Sequence, residues 1–277
     1  MPAVLPALFE HRYGAQPTAA PVEAAAPAAD LFASLLDHRS IRAYSSVALE
    51  PGTLELLIAA AQSASTSSNL QPWSVVALTD PAHKAKAATL AGDQNFIRQA
   101  PLFLIFVADL SRLTDVSSAT GRSGIALDYL ELFLIAAIDA ALAAQNAVVA
   151  AEGLGLGTCY VGAVRNRPQD IADLIGLPQR AIALFGLAVG HPAAGAKSAV
   201  KPRLPQPEVL HRERYDSSQR AANVAAYDRI LGAFYAAQGL PAADWSHHIA
   251  QRVGSIDVLR GRDQLTAILR DRGFGLR

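Results

Sequence analysis

Residues 125–152 form a stretch too long and too apolar to be anything but a helix with most of its surface covered. Leu, Ile and Ala dominate it, interrupted by Asp128, Glu131, Asp139, Gln145 and Asn146. An Asp near the centre of a bilayer costs roughly 2.5–3.5 kcal/mol, so the stretch reads as a helix buried in protein rather than a membrane span. Asp128, Glu131, Asp139 and Asn146 recur at helical spacing and share one stripe, while the other faces are apolar. Protein must therefore surround it nearly all round. At 1.5 Å per residue the helix is about 40 Å long, enough to cross a domain and to pack against a symmetry mate.

The rest of the composition agrees. Hydrophobic residues make up 51% of the 277 and charged ones 17%, which supplies a large core and little polar cover. Surface buried against a second subunit would resolve that imbalance. Lys+Arg and Asp+Glu are equal at 24 each, against a general nucleic-acid binder. Cys159 is the single cysteine, so no intramolecular disulfide forms. With no basic-then-apolar leader at the start, the expected compartment is the reducing cytoplasm, with no membrane attachment.

Residues 1–29 are rich in Ala and Pro with little periodicity, and are expected to be a disordered extension. Asp30 is a candidate cap for a short helix, and Pro51 opens a second with Leu54, Leu57, Ile58 and Ala61 on one side. Residues 74–78, 102–108, 158–161 and 182–190 read as strands, the second and fourth fully buried. Helices are expected over 81–90, 168–175 and 219–238, with shorter ones after Asp244 and Asp263. Residues 111–123 are hydrophilic and expected to be an exposed loop. The glycines of residues 153–157 are a helix end and turn, because a dinucleotide fingerprint needs a strand before it and a helix after it.

Two basic clusters stand out. His38, Arg39, Ser40, Ile41 and Arg42 place two guanidinium groups, an imidazole and a hydroxyl in one turn of chain, and Lys201, Pro202 and Arg203 repeat the chemistry with a stiffening proline. Adjacent guanidiniums repel unless an anion sits between them, and phosphate suits their fixed fork. Taken alone, each cluster fits a solvated surface patch better than a site. Residues 63–69 are seven small residues, five hydroxylic, and read either as a polar loop or as donors that let a planar ligand approach the backbone.

Several chemistries are missing. Seven histidines occur, but no HExxH and no Cys/His spacing for zinc, so no metal site is expected. No nucleophile elbow or Walker A loop appears. Without a nucleophile and its base, an enzyme of this sequence would rely on a bound cofactor.

In order, residues 38–42, 65–71, 153–162, 184–187 and 201–205 resemble the FMN-dependent nitroreductase family, in particular its oxygen-insensitive NADPH nitroreductases and NADPH–flavin oxidoreductases. The resemblance runs from about residue 31 to the C-terminus. It implies an α+β fold with three layers, a central mainly antiparallel sheet flanked by helices, in an intertwined homodimer with FMN at the interface. Residues 30–277 would then be a single nitroreductase-like FMN-binding domain with a helical C-terminal excursion at about 219–277.

The resemblance also assigns roles. His38, Arg39, Ser40, Ile41 and Arg42, with Lys201, Pro202 and Arg203, would hold the phosphate and ribityl end of FMN. Thr66 and Gln94 would contact the flavin, and Tyr160, Val161, Gly162 and Ala163 would line its ring. Ser68 and Asn69 would face the substrate. No side chain is implied as catalytic, since the chemistry occurs at flavin N5. The implied reaction is a ping-pong reduction of small-molecule acceptors (nitroaromatics, quinones or flavins) by NADPH or NADH. Two departures bear on it: Gly162–Ala163 stands where relatives often carry two glycines, and the Arg expected near Gln238–Gly239 in NADPH-preferring members is missing. Arg212, Arg214, Arg220 and Arg229 are the substitutes available. Alternatives left open are a flavin-storage protein, a member with other flavin chemistry such as reductive dehalogenation, and a binding module for another nucleotide.

Overall fold

The structure is a computed structural model and describes residues 4–13, 28–196, 198–241 and 244–277. Along the chain run α1 (Val4–Tyr13), α2 (Ala29–Leu36), α3 (Thr53–Gln62), β1 (Trp73–Leu78), α4 (Pro81–Leu90), α5 (Asn95–Gln99), β2 (Leu102–Asp109) and α6 (Ser111–Ala119). There follow α7 (Leu130–Gly153), β3 (Gly157–Val161), α8 (Pro168–Leu174), β4 (Ala181–Gly190), α9 (Gln206–Val209), α10 (Arg220–Ala237), α11 (Trp245–Arg252) and α12 (Leu265–Asp271). The chain divides into two compact units, Met1–Arg39 with Ser198–Val258, and Ser40–Lys197 with Leu259–Arg277.

That unit is an α+β sandwich. Its four strands are antiparallel in the order β1-β2-β4-β3. Strand β2 is buried along its whole length, and its period-2 alternation separates two cores. Phe103, Ile105 and Val107 face one core with Ala87, Ala88, Ile97 and Ile171 of α4, α5 and α8. Leu102, Leu104 and Phe106 face the other with Leu57 of α3 and Ala143, Ala144 and Ala147 of α7. Small residues bring these layers close. A Cβ on Gly186 would overlap the Phe103 ring, and one on Gly157 would lie 2.6 Å from Ile41 Cγ1.

The long helix is α7, the one described helix long and apolar enough to cross a membrane. Its alanine face packs on the sheet, and Asp139 is 2% exposed there. One expectation about it needs correction. The continuous helix from 125 is broken: residues Ile125–Asp128 form a 3-10 turn, and Tyr129 is extended. Asp128 turns off the stripe to pair with Arg180 at 2.6 Å, and its carbonyl accepts Arg277 N–H. Within a single chain one side of the helix is left uncovered. Leu130, Leu134, Ile138 and Leu142, four residues apart, are 45–57% exposed.

Two more expectations change. Residues 111–119 form α6 rather than a loop, because Asp109 Oδ1 accepts the Ser111 N–H at 3.0 Å and Leu113 packs inward. Within the expected disordered extension, Val4–Tyr13 is helical: Leu8, Phe9 and Tyr13 pack against Leu36, and Arg12 is buried. The remainder of that extension before residue 28 lies outside the described residues.

Gly186→Ala should lower stability by about 1–3 kcal/mol, the usual cost of forcing a methyl into a packed core. Urea unfolding of the variant should show a lower midpoint with unchanged slope.

Candidate functional site

The first unit gathers basic residues through Arg12. Its Nη2 donates to Leu36 O at 2.6 Å and His38 O at 2.8 Å, and its Nη1 donates to Lys201 O at 3.0 Å. In return Arg12 O accepts the Arg203 N–H at 2.8 Å. His38 and Lys201, remote in sequence, are thus held by one guanidinium. Tyr227 Oη, on α10, donates to Pro202 O at 2.8 Å and fixes the proline from its other side. The exposed cations make modest commitments. Lys201 Nζ donates to Tyr235 Oη at 3.3 Å, Arg203 Nη1 to Lys201 O at 2.9 Å, and Arg39 pairs with Asp37 at 2.6 Å.

In the second unit, Ser40 bridges Thr158 and Ile41 N–H donates to Thr158 O at 2.8 Å, so this segment lies along β3. Ile41 is buried under Gly157, which turns Arg42 outward. Ser40 and Arg42 reach the Cys159 thiol; burial pushes that thiol's pKa up, and these two partners only partly oppose the shift.

The hydroxylic loop is built under strain. Ser68, Asn69 and Gln71 adopt φ of 48°, 56° and 51° without being glycine, a conformation costing of order 1–3 kcal/mol each. Buried Asp139 holds its start: Oδ2 accepts from Thr66 Oγ1 at 2.5 Å and Oδ1 from Ser67 N–H at 3.2 Å. Thr66 Oγ1 also accepts the Gln71 N–H at 3.0 Å. The Thr66 hydroxyl hydrogen is therefore committed to Asp139. Asp109 holds the far end. It accepts from Ser74 Oγ at 2.6 Å, and Arg112 donates to Ser74 Oγ and to Gln71 O. Ser68 and Asn69 stay exposed between these anchors.

On β3, Tyr160 is 38% exposed and stands edge-on to Phe185. Residues Gly162–Asn166 form a 3-10 turn that brings Arg165 under Gly162. Arg165 Nη1 donates to Leu184 O. Burial first, then the nearby Arg262 guanidinium, lowers the Arg165 pKa. Asn166 Oδ1 is buried with no hydrogen-bond partner. Gln94 caps α5 half-buried, its Nε2 donating to Ala91 O at 2.9 Å. Arg12, Asp109, Arg165 and Arg262 escaped the sequence reading, since surface and buried charges look alike in sequence. Asp139 carried a signal as the lone acid mid-helix.

The donor set suits a flavin mononucleotide. Arg12 holds the backbones of the His38 and Lys201 segments together, and cations of the kind they carry suit a phosphate monoester; in the second unit Gly162 and Ala163 follow the exposed ring of Tyr160. Comparison with known proteins agrees. The Nitroreductase family model matches residues 35–191, and the model of the Nitroreductase family, C-terminal domain, matches residues 201–277. The chain belongs to the nitroreductase family. It is 35% identical over 248 residues to an FMN reductase (NADPH) of Bacillus subtilis, covering 87% of this chain and 96% of that one. It is 40% identical over 228 residues to an FMN reductase [NAD(P)H] of the same organism, covering 80% and 90%. The solved structure of B. megaterium NfrA2 superposes with a TM-score of 0.83 at 35% identity, covering 90% of this chain and 99% of that one. The chain is accordingly an oxidoreductase.

Asp109 makes the loop's anchoring depend on pH. Burial raises its pKa, but hydrogen bonds from Ser111 and Ser74 and the charge of Arg112 outweigh that and leave it below the ordinary value. A depressed carboxylate contributes stability above its unfolded pKa, about 3.9, and loses it as pH falls through the folded value. Asp109→Asn should be less stable than wild type at pH 7 and should lose less stability on acidification below about pH 4. Urea midpoints of both proteins at neutral and acid pH check this.

Proposed function

We propose that this chain is an FMN-containing oxidoreductase that takes reducing equivalents from NADPH or NADH and passes them to nitroaromatics, quinones or flavins. The observation that carries the reading is the junction of the His38 and Lys201 segments on Arg12. We assign His38, Arg39, Ser40, Ile41 and Arg42, with Lys201, Pro202 and Arg203, to the phosphate and ribityl end of FMN. Tyr160, Val161, Gly162 and Ala163 line the ring, with Gln94 at its edge. Thr66 serves the same ring by shaping the loop, because its proton is spent on Asp139. Ser68 and Asn69 face the acceptor.

When bound, FMN supplies hydride acceptance from the nicotinamide and hydride donation to the acceptor. The chain's own work is binding, orientation and charge. Arg165 and Arg262 put positive charge in the second unit, where an anionic substrate or a developing negative charge is stabilised. For the coenzyme, α10 ends at Ala237 with left-handed Gly239, and the arginines nearest in sequence are Arg229 and Arg252. Arg220 is tied to Glu208 and Tyr215. This departure from the NADPH-preferring pattern supports use of NADH beside NADPH.

The exposed leucines and isoleucine of α7 support a homodimer, since an apolar stripe of this length stays dry only against a partner. We assign the chain to the cytoplasm on its single buried, unpaired cysteine.

Purified protein should be yellow, bleach anaerobically with NADPH or NADH, and regain colour with a nitroaromatic or quinone. Parallel double-reciprocal lines check the ping-pong order. Colour that neither nicotinamide bleaches would favour a storage role instead.

Ile138→Glu with Leu142→Glu should halve the mass measured by light scattering and release flavin. A wild-type mass already equal to one chain would remove the dimer.

A further inference from the structure

Arg12 lies outside both matched segments, which begin at residue 35 and residue 201, yet it is 5% exposed. Its guanidinium spends its fork on the carbonyls of Leu36, His38 and Lys201, and its own carbonyl takes the Arg203 amide. Carbonyl acceptors fix backbone, not side chains. One planar group therefore sets the separation of the two cationic segments, and no flexible Lys could reach all three oxygens at once. The helix that carries it is itself anchored, with Phe9 stacked on Tyr13 and both packed against Leu36.

We infer that Arg12 is a positioning residue for phosphate recognition: it presets the spacing between His38–Arg39 and Lys201–Arg203, so that the α1 helix acts as a brace for the cofactor's anionic end. This rests on the FMN reading above and deepens it. Because Arg12 acts through the backbone of the phosphate-binding segments, its loss should weaken a ligand that carries phosphate and spare one that does not.

The test uses full-length wild type, Arg12→Gln and Arg12→Lys, stripped of flavin and titrated with FMN and with riboflavin by fluorescence quenching. Wild type should prefer FMN. Arg12→Gln should weaken FMN by about tenfold or more, the scale of losing hydrogen bonds from a charged group, and leave riboflavin unchanged. Arg12→Lys should fall between. Equal weakening of both ligands, or no weakening of FMN, overturns the brace. If both variants fail to fold by circular dichroism, Arg12 is a folding residue and the positioning role is likewise overturned. A wild type that binds FMN no better than riboflavin overturns the phosphate site itself, a result distinguishable from failure of Arg12 alone.

Discussion

A buried carboxylate inside an apolar helix needs partners, and Asp139 finds them in Thr66 and Ser67. Leaving that charge unpaired would cost several kcal/mol, so α7 and the loop preceding β1 cannot be ordered independently. The two hydrogen bonds, each on the order of 1.5–3 kcal/mol for a charged acceptor, offset the left-handed backbone at Ser68, Asn69 and Gln71. Asp109 and Arg112 close the other end of the same loop. Ser68 and Asn69 consequently project from a segment that is strained and held at both ends.

The same helix sets the geometry of the sheet. Ala136, Ala140, Ala143, Ala144, Ala147 and Ala151 are fully buried, and residues this small let α7 lie close over β2 and β4. Gly157 continues the theme on β3, where Ile41 fills the space a Cβ would need. Packing there fixes Ile41, and Ile41 fixes which way Ser40 and Arg42 point. A core contact thereby decides the orientation of charged side chains.

Much of this was legible beforehand. Continuous apolar runs bounded by turn residues marked β2 and β4, and glycine at residues 153–157 marked the end of α7, where Gly155 is left-handed. The basic clusters were visible as chemistry, and only the family resemblance joined them. What failed to show was whatever depended on a distant partner. The α1 helix has little amphipathic pattern of its own and is held by Arg12, whose acceptors lie up to 189 positions away. The α6 helix starts on the Asp109 carboxylate, and the break at Tyr129 follows Asp128 turning to Arg180. Periodicity reports a face to be covered without saying by what, and the α7 stripe through Leu130 and Ile138 finds no cover within its own chain.

Titratable groups around β3 explain why chemistry on the protein itself is excluded there. Burial raises the pKa of Tyr44 and outweighs the Arg42 guanidinium, which lowers it. Burial and then Glu152 raise that of Tyr160. The Cys159 thiol moves the same way. Each of these groups stays neutral at physiological pH, whereas a general base or thiolate nucleophile must ionise near it. The guanidinium of Arg42 neither accepts nor releases a proton in this range. Neutral hydroxyls, a neutral thiol and a fixed cation leave the electron transfer of an oxidoreductase to a bound cofactor.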